Sequence, residues 1–481
     1  MDGGINGTAL TRYSKKQRSF NLAKGKKMFS RYLIGGISIG LMLMSALSPQ
    51  VFAVPLPSAV TDADYYDNGT PNANKVVLGQ MLFFDKIMSG NKNISCATCH
   101  APFMGSGDGL SLPVGEGGKF LGPMRTTGEG TSAIKGRVGR HTPALFNLGA
   151  KEFLRLNWQG RHQQLATRLD LPSFQFTPVG IANVLAGQAL FPITSNIEML
   201  GDVAENEIMD AVARSKLRAP QVFVVTWEGY MARLRSIPKY VDMFKAAFPE
   251  VTSASKMTIV QYANAISAFQ ATAFRADNSP FDRFLRGESD AMSVAQQRGM
   301  DLFYGGANCS SCHSGKFQTD HEFHSIAMPQ FGPGFVSSTT TQQEDVGRRE
   351  MVADDLFKYK FRTPSLRNIA LSAPYGHTGA YKTLEGIVRH HLDPANSFLN
   401  WNRTQVIMPS RSDLDSSDFF IMNNATTSTV ILNANELSPS SLTDDEIKDI
   451  IEFLNALTDP ASLDQRHLIP VAVPSGLPVG D

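Results

Sequence analysis

Cys96-Ala97-Thr98-Cys99-His100, and again Cys309-Ser310-Ser311-Cys312-His313, are the stretches on which the reading of this chain turns. Each sets two thiols across two intervening residues and follows them at once with an imidazole. That spacing lets the thiols add to the two vinyl groups of one haem, and it brings the histidine under the iron as proximal ligand. A thioredoxin-like redox pair does not require the following histidine, and here the histidine occurs twice. A zinc site would need two pairs far apart in sequence to converge. These four cysteines are the chain's whole complement, so none is left for a structural disulfide. The motifs predict two covalently bound haem c groups: one on Cys96 and Cys99 with His100 on its iron, one on Cys309 and Cys312 with His313 on its iron.

Working outward, both motifs follow similar segments. Val-Val-Leu-Gly-Gln-Met-Leu-Phe-Phe (76–84) precedes the first and Arg-Gly-Met-Asp-Leu-Phe-Tyr (298–304) the second. Gly79, Leu82 and Phe83 match Gly299, Leu302 and Phe303, which reads as an internal duplication of helix, loop and haem motif. Ser293 with Gln296 predicts a capping box at the start of the second copy. Ile259, Tyr262, Ala263 and Ile266 follow helical spacing. A last helix is predicted from about Thr443 to Leu457, with Thr443 and Glu446 as its capping box. Strand-type alternation is scarce. Residues 104–140, 332–343 and 408–442 read as long loops.

The expected fold is therefore all-α, mainly helix with long loops, in two cytochrome c-like haem domains. The chain has 481 residues, 42% of them hydrophobic, which suffices for two cores. Residues 54–280 would form the N-terminal haem domain and 281–481 the C-terminal one. A formal net charge of +1 argues against a nucleic-acid partner. Residues 1–53 read as a signal region: Lys24, Lys26, Lys27 and Arg31 are basic, Leu33 to Leu47 is apolar, and Val51-Phe52-Ala53 resembles a cleavage site. The apolar run, about fifteen residues, is short of the roughly 20 that span a bilayer. A cleaved signal is thus favoured over a retained anchor, which predicts a periplasmic protein with no membrane segment after cleavage.

At this point the sequence resembles the bacterial di-haem cytochrome c peroxidase family, including the di-haem enzyme of methylamine utilisation. The resemblance runs from about residue 75 to 458. Besides the two haem motifs it is carried by Leu-Gly-Gln-Met-Leu-Phe-Phe-Asp (78–85), Gly-Arg-His-Thr-Pro-Ala-Leu-Phe-Asn (139–147), Ser-Pro-Phe-Asp-Arg-Phe-Leu-Arg-Gly (279–287) and Thr-Pro-Ser-Leu-Arg-Asn-Ile-Ala-Leu-Ser-Ala-Pro-Tyr (363–375).

The resemblance implies an N-terminal peroxide site and a C-terminal haem that stores and relays electrons. It makes Trp158, in Asn-Trp-Gln-Gly-Arg (157–161), the relay between them, although the family commonly has Asp where this chain has Gln159. It places Gln188 and Glu198 in the distal pocket. Cleaving hydrogen peroxide requires taking a proton from one oxygen and delivering one to the other. A carboxylate whose pKa is raised in an apolar pocket can do both, so Glu198 is the expected acid/base, and Gln188 would orient it or hydrogen-bond the bound oxygen species. The loop 112–118 has no histidine where many members carry a blocking ligand, which predicts an open first haem unless Met104 or Met124 reaches the iron. The second iron would take His391 on its far side, with His390 as rival, and His377 would act as a hydrogen-bonding residue. Calcium between the haems is implied on the carbonyls of Ser372 and Pro374. The third position, an Asn in the family, is His141 here, a poor ligand for a hard cation.

The leading expectation is a peroxidase drawing electrons from a small cytochrome c or a cupredoxin, with a homodimer left open. One rival is a methylamine-utilisation-type enzyme that oxidises a protein partner. Another is a plain electron-transfer cytochrome.

Overall fold

The computed structural model describes residues 55–334 and 344–480, and within them helices dominate and strands are few. The signal region read at 1–53 and most of the stretch 332–343 lie outside the described residues. In chain order the helices of the first half are α1 (Ala73–Phe84), α2 (Cys96–Cys99), α3 (Val184–Gln188), α4 (Glu207–Ser215), α5 (Val222–Arg235), α6 (Pro238–Ala247) and α7 (Ile259–Ala273). They are followed by α8 (Pro280–Leu285), α9 (Val294–Tyr304), α10 (Arg349–Val352), α11 (Leu384–Leu392), α12 (Pro394–Leu399), α13 (Ser412–Asp418), α14 (Phe420–Asn423), α15 (Ala425–Asn433) and α16 (Asp444–Ala456). Strands β1 (Arg155–Leu156), β2 (His162–Gln164) and β3 (Leu169–Asp170) form a small antiparallel sheet. β4 (Phe323–His324) pairs antiparallel with β5 (Phe361–Arg362).

Two helix crossings organise the apolar interior. α1 starts where the Asn72 side chain accepts from the backbone N–H groups of Asn74 and Lys75. It buries Leu78, Leu82, Phe83 and Phe84, and it crosses α7 at Gly79. A β-carbon on Gly79 would fall 2.0 Å from the Ala265 carbonyl oxygen and 2.8 Å from Phe269 Cβ, so no larger residue fits the crossing. α9 starts at the predicted Ser293–Gln296 capping box and crosses α16 in the same way. A β-carbon on Gly299 would lie 1.8 Å from Asp449 O and 2.9 Å from Phe453 Cβ. The flanking rings repeat too. Phe83 and Phe269 sit 5.2 Å apart at 55°, and Phe303 and Phe453 sit 5.1 Å apart at 56°. The duplication seen in α1 and α9 thus extends to α7 and α16, whose sequences do not announce it.

Each crossing has its own apolar core. The larger gathers α1, α7, Trp227, Tyr230, Tyr240 and Phe244; the smaller gathers Phe281, Met300, Phe303, Tyr304 and α16. The last described residues return to the larger core. Val473 is buried there, Gln80 donates to Leu468 O at 2.7 Å, and Ser475 Oγ donates to Asp85 Oδ1 at 2.6 Å.

The stretch 408–442 is a correction. Expected as loop, it folds into α13, α14 and α15. Asn424 caps α15 by accepting from Thr427 N, and Ile421 and Ile431 bury against Tyr359 and Phe398. Its Ser, Thr and Asn content disguised two apolar anchors. By contrast, 104–140 holds only short 3-10 turns, as expected of a loop. Among the described residues no helix is long and apolar enough to cross a membrane.

Candidate functional site

Ser95 and Thr98 form a capping box that starts α2, the single turn carrying Cys96 and Cys99. His100 ends that turn, and its Nδ1–H donates to the Ser106 carbonyl at 2.9 Å. This bond fixes the ring and leaves Nε2 to bind metal, the usual arrangement of a ligating histidine. Burial pushes His100 down to about 4, so the imidazole is neutral. The second motif is built alike. Nδ1 of His313 lies 3.2 Å from Gln318 O, and burial, with the nearby His391, brings its pKa to about 4. All four thiols are unpaired. Burial raises Cys96 and Cys309 to about 12, so neither is poised as a redox thiolate. Neutral imidazoles with a free Nε2 beside protonated thiols fit a thioether-linked haem. Asp320 and His324 converge with Cys312, but that cysteine belongs to the second motif.

The two histidines at the end of α11 are not equivalent. His391 Nδ1 bonds the Ile387 carbonyl at 2.8 Å, which again leaves Nε2 free. Its ring centroid lies 6.1 Å from that of His313. Metal–nitrogen bonds of about 2 Å on opposite sides of one ion place imidazole centroids roughly 6 Å apart. His390 has both nitrogens engaged, Nε2 with Ile326 O at 2.7 Å and Nδ1 with the Tyr381 hydroxyl at 2.8 Å. A carbonyl only accepts, so Nε2 carries the proton and the tyrosine donates to Nδ1.

Glu198 lies in the π-helical turn Asn196–Leu200. Burial pushes its carboxyl up to about 7, against the opposing pull of Arg161 and a hydrogen bond from Ser195. Its charge in turn bears on Cys99, which sets it on the side of the first haem motif. The loop 112–118 covers this turn. Glu116 N donates to Ile197 O at 3.0 Å, and a β-carbon on Gly115 would meet that same oxygen at 2.0 Å. Arg125, 1% exposed, braces the loop through the carbonyls of Val114, Gly115 and Phe120. Met104 is packed against the faces of Gly109 and Gly122, and Met124 is exposed. Gln188 ends α3 and is half-buried, but the side chain that hydrogen-bonds Glu198 is Ser195.

Trp158 stands in the turn between β1 and β2. Its Nε1–H donates to His141 O at 2.9 Å, and its own carbonyl accepts from Arg362 N at 2.7 Å. Arg348 donates to the carbonyls of Gln159 and Gly160, and Gln159 Oε1 accepts from Arg140. The neutral Gln159 thus still finds a cation. His377 lies edge-on to Trp158 at 6.5 Å and stacks on Phe361 at 3.7 Å. It departs from expectation, because among the described residues neither of its ring nitrogens has a hydrogen-bond partner.

The calcium expectation does not fit. The carbonyls of Ser372 and Pro374 are suitable oxygen donors, but the third position, His141, offers ring nitrogens in place of an amide oxygen. His141 Nδ1 lies 2.8 Å from Leu110 O, and the carbonyls of Ser372 and Ser111 also act on the ring. Two arginines escaped the sequence reading. Arg161 closes the quoted Asn-Trp-Gln-Gly-Arg segment, so its place beside Trp158 was the available signal. Arg125 offered none, since its partners are backbone carbonyls of a loop.

Comparison with known proteins points to one family. A family model described as di-haem cytochrome c peroxidase matches residues 73–290. The methylamine utilization protein MauG of Methylorubrum extorquens is 30% identical over 331 residues, covering 67% of this chain and 71% of that protein. The cytochrome c551 peroxidase of Pseudomonas aeruginosa is 29% identical over 351 residues, covering 71% of this chain and 78% of that one. A crystal structure of a MauG-like protein associated with microbial copper homeostasis superposes with a TM-score of 0.53 at 24% identity, covering 87% of this chain and 97% of that one, a likeness of fold alone.

Proposed function

Since the chain belongs to the di-haem cytochrome c peroxidase family, an oxidoreductase family, we propose that it reduces hydrogen peroxide to water in the periplasm with electrons from a small cytochrome c or cupredoxin. The observation that carries this reading is Glu198: a carboxyl lifted by burial to about 7, on the side of the Cys96–Cys99–His100 motif.

Two covalently attached haems, one held by Cys96, Cys99 and His100 and one by Cys309, Cys312, His313 and His391, would supply the redox chemistry. The chain's residues divide the remaining work. Near neutral pH Glu198 is present in both charge states, so it can accept a proton from one peroxide oxygen and return it to the other. Arg161 limits how far its pKa rises. Gln188 is assigned to hold the substrate. The loop 112–118, closed by Arg125, shields the turn from bulk water without offering a histidine to the iron. Trp158, tied to His141 and Arg362, is the relay. The separate cores around the α1–α7 and α9–α16 crossings support the reading of two haem domains, 54–280 and 281–481, except that the tail from about Leu468 packs on the first core.

A second reading, oxidation of a protein partner, is favoured by the likeness to the methylamine utilization protein and by the histidine-free loop. Steady-state assays on the protein carrying both haems separate these. Peroxide turnover with reduced cytochrome c supports the first. Peroxide consumption that proceeds only with a protein substrate supports the second. Two low-spin ferric EPR signals with no high-spin component, persisting after partial reduction and without turnover, would leave only an electron-transfer cytochrome.

A further inference from the structure

The calcium implied by the family resemblance meets a chain whose residues do not fit it, and His141 occupies the position of its third ligand. We propose that the His141 imidazole takes the place of the cation and braces the carbonyl-lined junction itself, so that this enzyme is built calcium-free. The inference rests on the di-haem reading above.

The imidazole is buried, with 5% exposure, and the residue that carries it is held at three points, one through the ring and two through its backbone. Its Nδ1–H donates to Leu110 O at 2.8 Å, in the loop that follows the first haem motif. Its backbone N–H donates to His377 O at 2.8 Å, just past the Ser372–Pro374 segment. Its carbonyl accepts from Trp158 Nε1 at 2.9 Å. The carbonyls of Ser372 and Ser111 also act on the ring. One residue therefore joins the first-motif loop, the C-terminal segment and the expected relay tryptophan, which is the bracing a bound cation would otherwise give.

The imidazole also takes an oxygen out of the donor set that calcium would need. Calcium takes six to eight oxygen ligands, carboxylates prominent among them. The nearby acid in this loop, Asp108, is engaged: its oxygens accept from Leu110 N at 3.1 Å and from Thr142 Oγ1 at 3.3 Å. No group of three or more His, Cys, Asp or Glu converges around His141 among the described residues. An imidazole nitrogen is in any case a poor ligand for a hard cation.

The test uses the protein with both haems attached, purified in calcium-containing buffer, desalted, and assayed by metal analysis. Substoichiometric calcium is expected, and EGTA should change neither the visible spectrum nor Tm. His141→Asn, which restores an amide oxygen, should gain one equivalent of calcium by equilibrium dialysis at about millimolar calcium, with a calcium-dependent rise in Tm absent from the wild type. One tightly held calcium per wild-type chain, or a spectrum altered by EGTA, would overturn the proposal. So would a His141→Asn protein that carries both haems and binds no calcium. If that variant does not retain its haems, the wild-type metal content and EGTA response decide. No readout involves peroxide, so a calcium-free protein without peroxidase turnover would defeat the peroxidase reading alone.

Discussion

A single carboxyl sets the pH behaviour expected of this protein. Glu198 is held at about 7 by burial, above the ordinary value for a glutamate. To take a proton from peroxide it must be ionised. The rate constant for reaction with peroxide should therefore fall as pH drops below about 7 and level off above it. Glu198→Gln should lower that constant by about 10²–10⁴-fold and flatten the profile. Stopped-flow reaction with peroxide between acid and mildly alkaline pH checks both, and full activity in the variant would remove Glu198 from the role. At this scale legibility followed locality. Cys-x-x-Cys-His can be read because the whole function lies within one turn. The difference between His390 and His391 could not be, because Tyr381 and Ile326 decide it from elsewhere in the chain. Arg125 was silent for the same reason, its partners being backbone carbonyls of a loop.

Elements show where periodicity and punctuation carry information and where composition misleads. Gly79 and Gly299 were recognised as matching positions, and the structure gives the cause: each lies where one helix touches the backbone of another. Gly299→Ala sets a methyl group within 1.8 Å of Asp449 O and should cost at least about 2 kcal/mol, with Gly79→Ala similar. Denaturant unfolding checks this, and either alanine variant being as stable as the parent would contradict the crossing. The capping boxes at Ser293 and Thr443 were legible because they are local rules of four residues. α13 to α15 were not, because their sequence is rich in turn-forming residues. Ile421 and Ile431, which hold them down, reveal themselves only once Phe398 is beside them.

Across the whole molecule, the pairing of α1 with α7 and of α9 with α16 joins segments well separated in sequence. Helical spacing and capping boxes predicted helices and the two motifs predicted two haem units, but no local pattern could predict which helices would cross. The last described residues are the clearest case. Gln465 Nε2 donates to Ala273 O at 2.8 Å, Lys86 Nζ donates to Gly480 O at 2.9 Å, and Val473 enters the core around α1. A chain ending after Ser462 should unfold at lower denaturant in its first half while the α9–α16 unit keeps its midpoint. Following haem absorbance and tryptophan fluorescence together would show the two transitions separating. This return of the tail also orders events in time. Synthesis runs from the N-terminal side, and the residues that cover the first core follow α16 in the chain, so that cover is available only after the second unit's helices are made. Until Val473 and its neighbours are in place, the core around α1 lacks part of its apolar cover.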